Sequence, residues 1–163
     1  MVVPDGSLIV VHLVDPREVG DRFARTRMGW PLHITLVPWF TLNPEPEALQ
    51  ALESVAKASV QFSVFVGEDA MFGPHKRIAV SLIAEPKQCA ELHRGLVDSL
   101  RPLDFVFASD RWVGESYRPH ITHHGERRRQ PGETRDIKDF TLVRLVDQHT
   151  CEVVRHFTLG GEQ

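Results

Sequence analysis

Cysteine is nearly absent: Cys89 and Cys151 are the only two in 163 residues, so no disulfide framework holds this chain together. Both lie in apolar-patterned segments, which predicts reduced, buried thiols. No apolar run approaches the length that spans a membrane. The first residues, Met1-Val2-Val3-Pro4-Asp5-Gly6, lack the basic and long apolar regions of a secretion signal. The expectation is a cytoplasmic protein without membrane contact. Nor is there an excess of either charge. The formal net charge is −3 and the pI about 6.3, so any nucleic-acid contact should be local, to an end or a few phosphates, rather than along a duplex. Low-complexity segments and interdomain linkers are missing too, and nothing marks an obligate protein partner.

What is present is an ordinary globular mixture, 42% apolar and 25% charged, long enough to bury a core. Residues 1–163 read as one domain. Ser7–Asp15 and Leu32–Val37 read as strands, and Val60–Gly67 alternates as a strand does. Arg77–Ala84, Phe105–Phe107 and Ser116–Thr122 are further strands, and Ile137–Asp147 with Cys151–Leu159 forms a closing antiparallel pair. Asp15 as cap and Pro16 at the first turn predict a helix to about Arg27. Ala48, Leu49, Leu52, Val55 and Ala56 follow helical spacing. Pro86 opens a second such segment, with Cys89, Leu92, His93, Leu96 and Leu100 on one face. Several connections are too short for crossovers. The fold class expected is α+β and bilobal, with two similar lobes, antiparallel sheets and outer helices around a central cleft.

Two short strands stand out. Pro31-Leu32-His33-Ile34-Thr35-Leu36 and Arg118-Pro119-His120-Ile121-Thr122 carry the same tripeptide, one in each half. Side chains alternate along a strand, so each His and Thr share one face and each Ile takes the other. That is the pattern of a strand buried behind and facing a cleft in front. Random order of 9 His and 8 Thr yields about 0.4 His-x-Thr per chain, so one copy is weak. Requiring the central Ile lowers this to about 0.02, and two copies fall to the order of 1 in 10⁴. His156-Phe157-Thr158 is a third His-x-Thr without the Ile or the preceding proline, and is read as structural.

One chemistry fits a pair of imidazoles. Opening a cyclic phosphodiester needs a base to activate water and an acid for the leaving oxygen. With an unperturbed pKa near 6.5, one histidine can serve as base and another as acid. Thr35 and Thr122 can each donate a hydrogen bond to a phosphate oxygen. No metal or other cofactor is required. His120, His123 and His124 with His33 form a rival metal site, but adjacent His123 and His124 point to opposite faces and no carboxylate has a ligand spacing. Tyr117, Trp30 and Trp39 flank the motifs as candidates to stack on a base, with core packing as the alternative. Arg118 is a candidate phosphate clamp. Arg127-Arg128-Arg129 either steers an RNA end or is simply solvated.

Paired His-x-Thr motifs in the two halves of a chain this long resemble the 2H phosphoesterase superfamily. The branch most similar is that of the bacterial 2′-5′ RNA ligase-like proteins, which act as RNA 2′,3′-cyclic phosphodiesterases. The matching stretches are Leu32–Leu36 and Tyr117–Thr122, and the order of elements to Phe157-Thr158-Leu159-Gly160 agrees. The resemblance implies that the motifs face each other across a cleft. It implies that His33 protonates the leaving 3′ oxygen, that His120 activates water and that a 2′-phosphate results. Substrates would be RNA ends or small cyclic nucleotides. Other outcomes within reach are an ADP-ribose cyclic phosphate as substrate, 2′-5′ RNA ligation, or a non-catalytic nucleotide-binding module. The sequence departs from the family at His123, where an apolar residue is usual, and His124 would join the His120 face if the strand continued.

Overall fold

The computed structural model describes residues 2–43, 45–109 and 111–160. The strands are β1 (Leu8–Leu13), β2 (Arg22–Ala24), β3 (His33–Asn43), β4 (Phe62–Phe72), β5 (Ile78–Ala84), β6 (Asp104–Phe107), β7 (His120–Thr122), β8 (Thr134–Ile137), β9 (Asp139–Asp147) and β10 (Thr150–Thr158). Two helices join them, α1 (Glu45–Ala58) after β3 and α2 (Lys87–Leu100) after β5. The pairings are antiparallel, in the order β2-β10-β9-β1-β3-β7-β5-β4-β8, with β6 on β3. The α+β class is therefore as expected.

The two halves of this order meet at a single residue pair, Ile34 opposite Ile121. β3 serves both halves: its start pairs with β7 and its end, from Phe40 to Asn43, with β6. Only Lys138 separates β8 at one end of the order from β9 near the other. The sheet must therefore fold round on itself. Arg135 of β8 accordingly reaches β1, donating to the His12 ring (3.0 Å) and the Leu13 carbonyl (3.0 Å).

One face of the sheet is covered by both helices. Ala48, Leu52 and Ala56 of α1 and Leu92, Leu96 and Leu100 of α2 pack with Ile34, Leu36, Val64 and Ile121 in the main core. The two helices lie against each other on this outer face. The α2 face read from the spacing, Cys89, Leu92, His93, Leu96 and Leu100, is buried as a set. A second core fills the opposite face of the first half, where Ile9, Val11, Leu13, Val143, Leu145 and Cys151 pack with Phe23, Trp30 and Trp39. Both cysteines are free and buried, and burial pushes the Cys89 thiol up to about 12. Among the described residues no helix is long and apolar enough to cross a membrane.

The helix expected from Asp15 to Arg27 is absent. The segment turns at Gly20, whose φ is +91°, and then forms β2 against β10. Its apolar content explains this: Val19 stays exposed and only Phe23 finds a core, so no amphipathic stripe exists to stabilise a helix. Asp15 caps nothing. Its carboxylate accepts from the Leu32 amide (3.0 Å) and pairs with Arg127 and Arg129. The strand expected over Ser116–Thr122 is shorter, because Gly114–Ser116 forms a turn and Pro119 supplies no ladder donor.

Candidate active site

The Ile34–Ile121 pair decides where the two motifs lie. Both isoleucines are buried in the main core. Antiparallel register through that pair sets His33 beside Thr122 and Thr35 beside His120, all on the face opposite the helices. The four polar side chains are half-buried and line one cleft of about 500 Å³, a size suited to a small ligand. Local two-fold symmetry is thus built from one tripeptide used twice.

The histidines are held alike. His33 donates from Nδ1 to the Pro31 carbonyl (2.9 Å), and His120 donates from Nδ1 to the Arg118 carbonyl (2.8 Å). A carbonyl only accepts, so each bond puts the neutral ring's proton on Nδ1 and leaves Nε2 as the titrating nitrogen. Burial pushes His33 down to about 4; nearby His124 and His120 act in the same direction, and the Pro31 bond opposes them. His120 is also lowered, mainly by burial and then by the Arg118 charge, against the bond to the Arg118 carbonyl. Both imidazoles therefore favour the neutral form near pH 7.

Aromatic rings flank each histidine. Trp30 lies 4.7 Å from His33 by ring centroids, and Phe72 lies 4.8 Å from His120 with edge-on geometry. Trp30 and Trp39 both line the cleft and pack on the second core, so core packing and cleft lining coexist. Leu36 and Val37 both enter the core where β3 is irregular against β1, after which Pro38 and Trp39 line the cleft. Arg118 lines the cleft with its guanidinium over Phe72 (5.3 Å) and makes no ion pair among the described residues.

Tyr117 also lines the cleft, but its hydroxyl is engaged, donating to the Thr35 carbonyl (2.8 Å). Its ring stacks on His93, with centroids 4.1 Å apart and planes within 4°. His93 is buried and bridges two segments. It donates from Nδ1 to the Leu36 carbonyl (2.6 Å) and accepts at Nε2 from the Gly114 amide (2.9 Å). The pair ties α2 and the approach to β7 onto β3. The sign of this in the sequence is the helical spacing that sets His93 on the buried face of α2.

The remaining residues singled out near the second motif lie outside the cleft lining. His123 faces Ser81 (2.8 Å) and Asp69 (3.8 Å). His124 is buried and accepts from Arg127 (3.2 Å). Arg127 reaches Asp15 and the Met28 and Trp30 carbonyls, Arg128 grips Asp69 in a bidentate pair, and Arg129 faces Asp15. The basic run is thus spent on internal pairs that hold the Trp30 loop and β4. His156 bonds Thr141 (2.7 Å) and the Arg17 carbonyl (2.8 Å), away from the cleft. Among the described residues no three His, Cys, Asp or Glu side chains cluster as metal ligands.

A family model described as the 2′-5′ RNA ligase superfamily matches residues 14–134, a span that includes both motifs. The chain belongs to that superfamily. Comparison with curated proteins finds no significant match. Among solved structures the fold is shared with TT0787 of Thermus thermophilus, at 20% identity and a TM-score of 0.63, covering 96% of this chain and 100% of that one. A protein described as a phosphoesterase is similar at 14% identity and a TM-score of 0.64, over 97% and 100% of the two chains. E. coli LigT complexed with 3′-AMP is similar at 16% identity and a TM-score of 0.60, again over 97% and 100%. Membership carries phosphodiester chemistry as the class of activity, and the superfamily is the one to which the repeated motif points.

Proposed function

We propose that this 2′-5′ RNA ligase superfamily protein is an enzyme that hydrolyses 2′,3′-cyclic phosphates, at RNA ends or on small nucleotides, to 2′-phosphates. The observation that carries the reading is the antiparallel Ile34–Ile121 pair, which sets two identically held histidines and two threonines around one cleft. In this reading His120 takes a proton from water through Nε2, and His33 gives one to the leaving 3′ oxygen. Thr35 and Thr122 donate to the non-bridging oxygens, and Arg118 adds a positive charge near the phosphate. Burial favours the neutral form of both imidazoles, and the negative charge of a bound phosphate favours the protonated form of one of them.

The 3′-AMP complex of E. coli LigT supports a nucleotide ligand for this fold. We infer that residues 1–163 act as one domain of two pseudo-symmetric halves. A cytoplasmic location belongs to the same reading and suits two free, buried thiols. The test is turnover of 2′,3′-cyclic nucleotides and a cyclic-phosphate-ended oligonucleotide, with and without EDTA. Turnover indifferent to EDTA and lost in His33→Ala and in His120→Ala is the expected result. Binding without turnover would make the protein a nucleotide-binding module, and loss of activity in EDTA would sink the metal-free mechanism.

A further inference from the structure

The cleft carries an aromatic stack of which this reaction uses only the flanking Arg118. Phe72 and Trp112 stack with centroids 5.4 Å apart and planes within 9°. The Arg118 guanidinium lies 5.3 Å from the centre of the Phe72 ring, and that of Arg111 lies 5.7 Å from the centre of Trp112. All four side chains line the same cleft as His33 and His120. The stack begins beside the reacting groups, where Phe72 meets His120, and ends at Trp112, which is 39% exposed.

The opposite wall differs. Trp30 and Trp39 are packed against the second core, and Trp30 flanks His33. One base attached to the reacting phosphate can use only one of these walls. A part-exposed aromatic pair flanked by two arginines, Arg118 over Phe72 and Arg111 over Trp112, is matched by a planar base with an adjoining phosphate: Arg111 gives way to the base and the guanidiniums meet the anion. Arg111 is exposed and long enough to move aside or fold over such a base. Phe72 is presented by a tight turn in which His75 (φ +59°) and Lys76 (φ +50°) both take left-handed backbone conformations.

We propose that Trp112, with Phe72, Arg111 and Arg118, forms a stacking subsite for a second nucleobase, so that the preferred substrate holds at least two nucleotides. The inference rests on the phosphodiesterase reading. Stacking is tolerant of base identity, so little preference among the four bases is expected. The second base has two sources. It is either the neighbour on the same strand as a cyclic-phosphate end, or the nucleoside across a 2′-5′ linkage.

The test compares kcat/KM for a 2′,3′-cyclic mononucleotide, a dinucleotide ending in a 2′,3′-cyclic phosphate and a 2′-5′-linked dinucleotide. Wild type should prefer one of the dinucleotides by about tenfold or more, and which one identifies the source. Trp112→Ala should collapse that preference toward unity, and Arg111→Gln should reduce it by less. Equal kcat/KM for all three, or a preference that survives Trp112→Ala, overturns the subsite. Should nothing be turned over, the phosphodiesterase reading fails instead. Calorimetric binding of a 3′-phosphorylated dinucleotide against the mononucleotide then decides the subsite by the same ratio in the same variants.

Discussion

The two sides of the cleft are built from one tripeptide and one backbone hydrogen bond, yet they are different places. On the His33 side, Trp30 and Trp39 rest on a buried apolar cluster, and the His124–Arg127 pair braces the Trp30 loop. His33 is correspondingly held at about 4, chiefly by burial. The His120 side is walled by Phe72, Trp112 and two arginines, with Trp112 partly open to water. There the lowering of His120 also comes first from burial, with Arg118 adding to it. A repeated motif therefore delivers repeated geometry, whereas the surroundings set how firmly each imidazole keeps its proton.

The largest effect should come from removing either side altogether. His33→Ala and His120→Ala should each lower kcat for a cyclic nucleotide by about 10²- to 10⁴-fold, the range for a general acid or base. The double variant should lose little more than the worse single one, since the two act as a unit. A single variant that keeps near-normal turnover would break the pairing of the two sides. Next come Thr35→Val and Thr122→Val. Each removes a hydrogen bond to a charged phosphate, so about 10- to 100-fold in kcat/KM is expected from steady-state kinetics.

Proton affinity sharpens the comparison further. The His33 imidazole, followed by NMR, should titrate near 4 and below its ordinary value, with His120 also lowered. Trp30→Leu should admit water and move His33 back upward without the same effect on His120. Stability has a sign that follows. His33 binds its proton less well folded than unfolded, so the unfolded chain takes up more protons between the ordinary value and about 4. The fold should lose stability as pH falls through that window and regain it above. Chemical denaturation of His33→Gln should show a shallower loss. The pH–rate profile of wild type should be bell-shaped, because one imidazole must be neutral and one protonated. The smallest effect is Tyr117→Phe, which deletes the bond to the Thr35 carbonyl and should cost about 1 kcal/mol in denaturant melts.

Much of this was legible in the chain. The α+β class, the helix at Ala48–Ala56, the buried face of α2 and the strand character of both motifs follow from periodicity, which is a local property. The helix misread after Asp15 shows the limit of local signals. A cap and a proline were present, but the carboxylate was taken by the Leu32 amide and two arginines from a distant loop. The same distance effect explains Arg127-Arg128-Arg129, a free basic run on paper and a set of internal ion pairs in the fold. It also explains His93, whose partners Leu36 and Gly114 lie on segments that no spacing connects. Phe72 and Trp112 were missed for the same reason: one ends a strand, the other sits in a turn, and only folding stacks them.

By itself, then, the order of residues determined that His33 and Thr35, and likewise His120 and Thr122, face one way with an isoleucine behind. Alternation along a strand requires nothing beyond the strand. Only the tertiary structure decided that the two tripeptides pair through Ile34 and Ile121, and that burial lowers both imidazoles, His33 to about 4. Partner choice and local dielectric depend on what the rest of the chain packs around a site, which no short stretch of sequence contains.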